Sequence, residues 1–249
     1  MAAADNGQAL IDALAQQIAA RLDQVVAALE SAQERTAARL AENSDAALDE
    51  LEAFAHQVLP SGTGMVVGAG FAGTVRSPHG PAPTMVWWAR GTGDSITQRP
   101  HTVNPNADDF YNYTAQRWFA RAREAGTKVV TGPFIDTWGS DDFTVTVSVP
   151  TDAGSGLDGV LAADLDIRGL VRDLSVVLAE ADLPIAVVND SQRVVVSNIA
   201  ALDTGLLLMP RHERARRDTP VVRSAPVAGY TWLVVQLDLS AFEGAPSHR

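Results

Sequence analysis

Gly68-Ala69-Gly70-Phe71-Ala72-Gly73 has the glycine spacing that, at a strand-to-helix turn, brings a backbone against a pyrophosphate. Here the chain runs on into Thr74-Val75-Arg76-Ser77-Pro78, a strand-then-loop texture. The helix N-terminus that such a site needs is missing, and small residues beneath a close-packed neighbour are the better reading. The five histidines, His56, His79, His101, His212 and His248, are scattered, and no two stand at metal-ligand spacing, so no metal is expected. The chain has no cysteine, which removes thiolate chemistry and disulfides. No serine sits in a Gly-x-Ser-x-Gly elbow. The adjacent acids Asp108-Asp109 and Asp141-Asp142 suit caps and turns better than an acid/base dyad. Asn112-Tyr113-Thr114 matches a glycosylation acceptor but falls in a predicted helix, where the match is read as chance. No catalytic residue and no cofactor are assigned.

The elements that position the remaining polar and aromatic residues begin with a helix. From about Gln8 to Val58 the chain is rich in Ala, Gln, Glu and Leu without Pro or Gly. Leu10, Leu14, Ile18, Leu22, Val25 and Leu29 line one stripe, and Asn43-Ser44-Asp45 marks a break or a cap for a new helix near Ala46. A helix of ~50 residues is roughly 75 Å long, more than one small domain covers. A second chain packed on its first half is therefore expected, folding back onto its own domain being the alternative. Pro60-Ser61-Gly62-Thr63-Gly64 ends this segment. Strands are predicted at Met65 to Val75, Thr84 to Arg90, Phe143 to Val149 and Leu157 to Asp166, with a loop from Ser77 to Pro83. Helices are predicted from Asp108 to Ala125, stopped by Gly126, and from Leu170 to Ala181. A smaller repeat of the texture follows, with strands at Ile185 to Asn189, Val194 to Asn198, Thr219 to Ser224 and Tyr230 to Asp238. The whole reads as α+β with antiparallel sheets.

One stretch is more specific. Asp109-Phe110-Tyr111, Gln116-Arg117-Trp118-Phe119, Thr131-Gly132-Pro133-Phe134-Ile135-Asp136, Thr144 to Pro150 and Gly159 to Ile167 follow one another in that order. The order resembles the membrane-distal module of double Cache domains, PAS-like extracytoplasmic sensors of bacterial chemoreceptors and histidine kinases. Tyr230-Thr231-Trp232-Leu233-Val234-Val235 extends it to the last strand of a second module. The resemblance implies a long N-terminal helix (1–60) followed by two antiparallel-sheet Cache modules, the first with a ligand pocket (61–169), the second smaller (170–249). It implies that Tyr111 and Trp118 wall the pocket while Asp136 and Asp164 hold a ligand ammonium. Two positions depart from the family: Gln116 stands where an Arg grips a ligand carboxylate, and Phe134 replaces a Tyr. Trp87, Trp88 and Arg90 are candidate lining from the preceding strand. Alternation puts Trp88 and Arg90 on one face and Trp87 on the other, without saying which looks inward. Asp136 capping a turn and Asp164 closing a strand are the structural alternatives.

A pocket with two acids and no bidentate cation favours a positive amine without an obligatory carboxylate, with Arg90 and Arg117 as alternative sources of the missing guanidinium. The expected function is therefore reversible sensing of a small organic ligand, an amine or polyamine. The alternatives are an amino-acid or organic-acid sensor, an enzyme using Asp136 and Asp164 as acid and base, and a structural interaction protein. A net charge of −11 disfavours nucleic acid and anionic lipid as partners; the basic run Arg211 to Arg217 is read as a solvated face. With no basic leader ahead of an apolar stretch and no ~20-residue apolar span, a cytoplasmic protein is expected. The expected partners are the ligand, a second copy through the N-terminal helix, and a signalling protein.

Overall fold

The computed structural model describes residues 2–42, 47–59, 65–77, 79–91, 95–108, 110–135, 143–179, 182–208 and 220–241. The N-terminal segment forms α1 (Ala2–Glu42) and α2 (Ala47–Val58), with the expected break between them outside the described residues. α2 returns along α1, held by Arg39 to Glu50 at 3.0 Å and by Arg35 donating to the Gln57 side-chain oxygen at 3.2 Å. No described helix is long and apolar enough to cross a membrane.

Two compact units make up the chain, and neither is continuous in sequence. One comprises Leu22–Thr131 with Thr144–Asp166, the other Met1–Arg21, Gly132–Phe143 and Ile167–Arg249. α1 contributes to both units. This answers the length argument made from sequence. Ile11, Leu14, Ile18, Leu22, Val25 and Leu29 are each no more than 6% exposed within the single chain. The stripe that suggested a second copy is buried within the single chain except at Leu10, which is half-buried. None of the exposed large apolar side chains lies on α1 among the described residues.

The larger sheet runs β3-β2-β1-β6-β5-β4, from β1 (Val66–Ser77), β2 (Gly80–Arg90), β3 (Ile96–Arg99), β4 (Val129–Ile135), β5 (Phe143–Pro150) and β6 (Leu157–Asp166). The sequence reading missed β3 and β4, both short and without clean alternation. It also made Ser77 to Pro83 a loop, whereas β1 and β2 pair through Ser77 and Gly80. Pro81 and Pro83 are tolerated there because β3 pairs only with Trp87 to Arg90, which leaves the proline stretch of β2 with one neighbour. The predicted helix from Asp108 begins later, as a 3-10 turn at Tyr113–Ala115 and then α3 (Arg117–Ala125). The Asn112 side chain accepts from the Ala115 N–H and from Thr114 Oγ1, which fixes a turn in place of the first helical turns. Gly126 stops α3 as predicted, with φ +63° and its N–H on Ala122 O.

The smaller sheet runs β8-β7-β10-β9, from β7 (Ile185–Val188), β8 (Val194–Ser197), β9 (Val221–Pro226) and β10 (Leu233–Leu237). α4 (Ile167–Ala179) packs on β8. The expected Asn189 to Gln192 turn forms because Asn189 Oδ1 accepts from the N–H groups of Ser191 and Arg193. Trp232 is fully buried in this unit.

Candidate functional site

In an antiparallel sheet, residues directly opposite share a face. Register therefore assigns the faces of the larger sheet without ambiguity. One row reads Thr97, Ala89, Gly68, Asp164, Thr146 across β3, β2, β1, β6 and β5, and the next reads Arg99, Trp87, Gly70, Ala162, Ser148. Trp88 and Arg90 fall on the opposite face. There the Arg90 guanidinium donates to the carbonyl of Leu59, just past the end of α2, and Trp88 is buried. Neither belongs with Asp164, and the aromatic residue that β2 brings to the site is Trp87.

Trp87 lies down over the sheet because β1 offers it no side chains. A Cβ placed on Gly68 would meet Trp87 Nε1 at 2.7 Å and Asp164 Oδ2 at 3.4 Å. A Cβ on Gly70 would meet Trp87 Cε3 at 2.8 Å and the Val86 carbonyl oxygen at 2.1 Å. The two glycines are the bed of the indole, and they bring its N–H end and the Asp164 carboxylate over the same point. Gly70→Ala should consequently destabilise the chain by about 3 kcal/mol, since the obstruction is backbone and cannot swing away. Urea denaturation measures this, and a loss below about 0.5 kcal/mol, as at an open surface position, would disprove the close approach.

Asp164 sits on a central strand yet is part-exposed, whereas its flanking residue Thr146 is buried to 1% and Ala162 to 0%. The Thr146 hydroxyl donates to Asp164 Oδ1 at 2.7 Å, a charge-assisted bond that orients the carboxylate. Ser148, one place further along the same face, buries a hydroxyl that has no hydrogen-bond partner among the described residues.

α3 covers this face and packs on β6. Trp118 is buried with its ring 5.9 Å from that of Trp87 at 47°, and Phe119 stands edge-on to it at 5.8 Å. Such pairs add about 0.5–1.5 kcal/mol beyond area burial. The far end of α3 is pinned by Arg123, which donates to Thr151 O at 2.9 Å and pairs with Asp158 at 2.6 Å. Before α3, the Tyr113 hydroxyl donates to Gly73 O. Burial pushes that phenol up from its ordinary value, so it stays protonated and donating throughout the neutral range.

The predicted site residues thus divide. Trp118 and Asp164 share the face, bridged by Trp87. Tyr111 is buried, but on the segment ahead of the helix instead of on it; its N–H bonds Thr102 O and its ring lies 5.4 Å from that of His101. Gln116 caps α3 with extended backbone, and its side-chain amide donates to Asn112 O at 3.3 Å. Phe134 lies on β4, half-buried, in the other unit. Asp136 lies outside the described residues, as do Asp141, Asp142 and the basic run from Arg211 to Arg217. Trp87 was weighed as lining with its face left open, and Thr146 was not named. The signal was available: glycines two apart on a strand leave one face bare, and only a large side chain from the next strand fills it.

No protein-family model and no curated protein matches the sequence. Solved structures do match, over nearly the whole chain. A methyl-accepting chemotaxis protein X superposes with a TM-score of 0.66 at 16% identity, covering 94% of this chain and 96% of that one. The ligand-binding domain of the Pseudomonas aeruginosa amino-acid chemoreceptor PctB, in complex with L-Arg, gives 0.62 at 16% identity over 98% of both chains. That of the Pseudomonas fluorescens chemoreceptor CtaA, in complex with L-valine, gives 0.61 at 16% identity over 96% and 99%. A long helix, a six-stranded and then a smaller four-stranded antiparallel sheet, superposing on these domains over nearly the whole chain, give this protein the double Cache fold of chemoreceptor ligand-binding domains.

Proposed function

We propose that the chain is a sensory ligand-binding domain that reversibly takes a small ammonium-bearing ligand, of the amino-acid class, on the Asp164 face of its six-stranded sheet. The observation that carries this reading is Asp164 itself, a part-exposed carboxylate on a central strand, oriented by Thr146 and set beside the Trp87 indole. A carboxylate flanked by aromatic faces attracts an ammonium through charge-assisted hydrogen bonds and the ring quadrupole together. Solved domains of like fold were found with GABA, L-Arg and L-valine, which favours an amino acid over a simple amine and binding over turnover. Asp136 is the second carboxylate of the proposal.

An amine ligand is the second reading, and Gln116 is what favours it. At the position where the resemblance expects a carboxylate-gripping Arg, this chain has a neutral amide already bonded to Asn112 O.

Thermal denaturation against γ-aminobutyrate, L-valine, L-arginine, butylamine and putrescine tests both. A ligand at a hundredfold excess over its Kd stabilises by about 2.7 kcal/mol, a rise of roughly 5–10 °C in a chain of this size. If none of the amines or amino acids moves the midpoint at millimolar concentration, the reading fails. Gln116→Arg should shift the preference toward α-amino acids, by about tenfold in relative Kd for one added charge-assisted pair. An unchanged ligand profile would show that residue 116 does not face the ligand.

A further inference from the structure

Beside Asp164 the sheet offers almost no side chain. Gly68 stands directly opposite it on β1, and Ala89 stands opposite Gly68 on β2. The Trp87 ring takes up part of the space this leaves, with its Cε3 end toward Gly70 and its Nε1 end toward Gly68. One point, the Cβ position that Gly68 lacks, lies 2.7 Å from Trp87 Nε1 and 3.4 Å from Asp164 Oδ2. A hydrogen-bond donor and a carboxylate oxygen therefore border the same spot.

Trp87 is only 8% exposed, with its ring against Trp118. Its N–H has no hydrogen-bond partner among the described residues. The unpartnered side-chain polar atoms shut away from solvent among those residues belong to Thr36, Thr131, Ser148 and Trp232. Trp87 Nε1 is not one of them, so the small open part of this residue includes its N–H end. An indole N–H only donates, and an almost wholly buried donor without an acceptor carries a free-energy cost that a bound oxygen relieves. An ammonium seated on Asp164 cannot relieve it, because an ammonium too has donors alone. The group that answers Trp87 has to be an acceptor, and since both protein groups border one point it has to lie close beside the ammonium. Gln116 leaves this role open, its amide being engaged by Asn112 O.

We infer that the Trp87 indole N–H is a specificity-determining group of this site, selecting ligands that carry an oxygen acceptor on the carbon next to the one bearing the ammonium. This deepens the reading of Asp164 as the ammonium site, on which it rests, and it decides against a plain amine. A carboxylate oxygen and a hydroxyl oxygen both meet the requirement. Trp88, the neighbouring indole, faces the opposite side of the sheet and has no part in it.

Three probes of one shape test it by titration calorimetry on the full chain: L-alanine, L-alaninol and isopropylamine, which place a carboxylate, a hydroxymethyl and a methyl group at the same position. The wild-type chain should bind L-alanine or L-alaninol at least about tenfold more tightly than isopropylamine, and the tighter of the two tells which oxygen is read. Trp87→Phe should erase that margin and leave isopropylamine affinity unchanged, whereas Asp164→Asn should weaken every probe that binds. If Trp87→Phe keeps the margin, the Trp87 assignment is overturned and the ammonium site stands. If Asp164→Asn binds undiminished, the underlying site reading falls instead. Isopropylamine binding as tightly as the other two, or no binding of any of the three, overturns the inference outright. Should Trp87→Phe fail to fold, the wild-type indole N–H resonance, assigned through its proximity to the Gly68 α-protons, reads the same contact. L-alanine or L-alaninol should move it downfield and isopropylamine should not; equal movement with all three, or none, overturns the assignment.

Discussion

A chain shortened to begin at Ala46 should show no cooperative thermal transition. Ile11, Leu14, Ile18, Leu22, Val25, Val26 and Leu29 are buried against the remainder of the chain, and burying an aliphatic side chain of this size contributes about 1.5–3 kcal/mol. Their sum rivals the roughly 5–15 kcal/mol of net stability that domains possess, and the surfaces that α1 covers would be exposed in addition. Had α1 been a free-standing dimerisation arm, the same truncation would leave a folded, monomeric remainder. Circular dichroism on heating separates the two. A sharp melt in the shortened chain would mean that the burial of α1 contributes little to folding.

This contrast also shows where sequence reasoning lost its hold. Periodicity identified the stripe on α1 and gave Leu14, Ile18, Leu22, Val25 and Leu29 correctly, with Leu10 named where Ile11 is the buried residue, because a 3.6-residue pattern is a local property. What covers the stripe is not local: α1 is shared between two units, each assembled from segments far apart in sequence. The strands with long apolar or alternating runs were legible, β6 (Leu157–Asp166) down to its ends. β3 (Ile96–Arg99) was not, because a polar edge strand takes its identity from its partner's hydrogen bonds and carries no pattern of its own. The start of α3 was misplaced because Asp at residue 108 is a good cap in isolation, whereas Asn112 and its side-chain bonds hold a turn there. In the site, Asp164 and Trp118 came from the order of motifs. The choice between Trp87 and Trp88 depended on a parity that alternation alone leaves open. Pairing resolves it, since Gly70 faces Trp87 and Gly68 faces Asp164.

Asp164→Asn should abolish ligand-induced stabilisation and leave the unliganded chain as stable as before. Asparagine keeps the shape and an oxygen for the Thr146 hydroxyl, so the variant removes the charge and keeps this bond. Alanine is the poorer probe, because it would strand the Thr146 hydroxyl, buried to 1%, at a cost of about 1–3 kcal/mol. An ammonium deprived of its carboxylate loses a charged, hydrogen-bonded partner, which costs about 2–5 kcal/mol of binding, roughly 30-fold or more in Kd. In the empty site the Thr146 bond is kept. Asp164 is part-exposed beside the Trp87 indole, so neutralising it removes a desolvation cost and leaves the folding midpoint near that of the wild-type chain. Binding weaker by that factor at unchanged stability marks Asp164 as the ammonium's counter-charge. A variant that unfolds earlier, with ligand affinity intact, would instead make Asp164 a structural acid whose partner is the sheet.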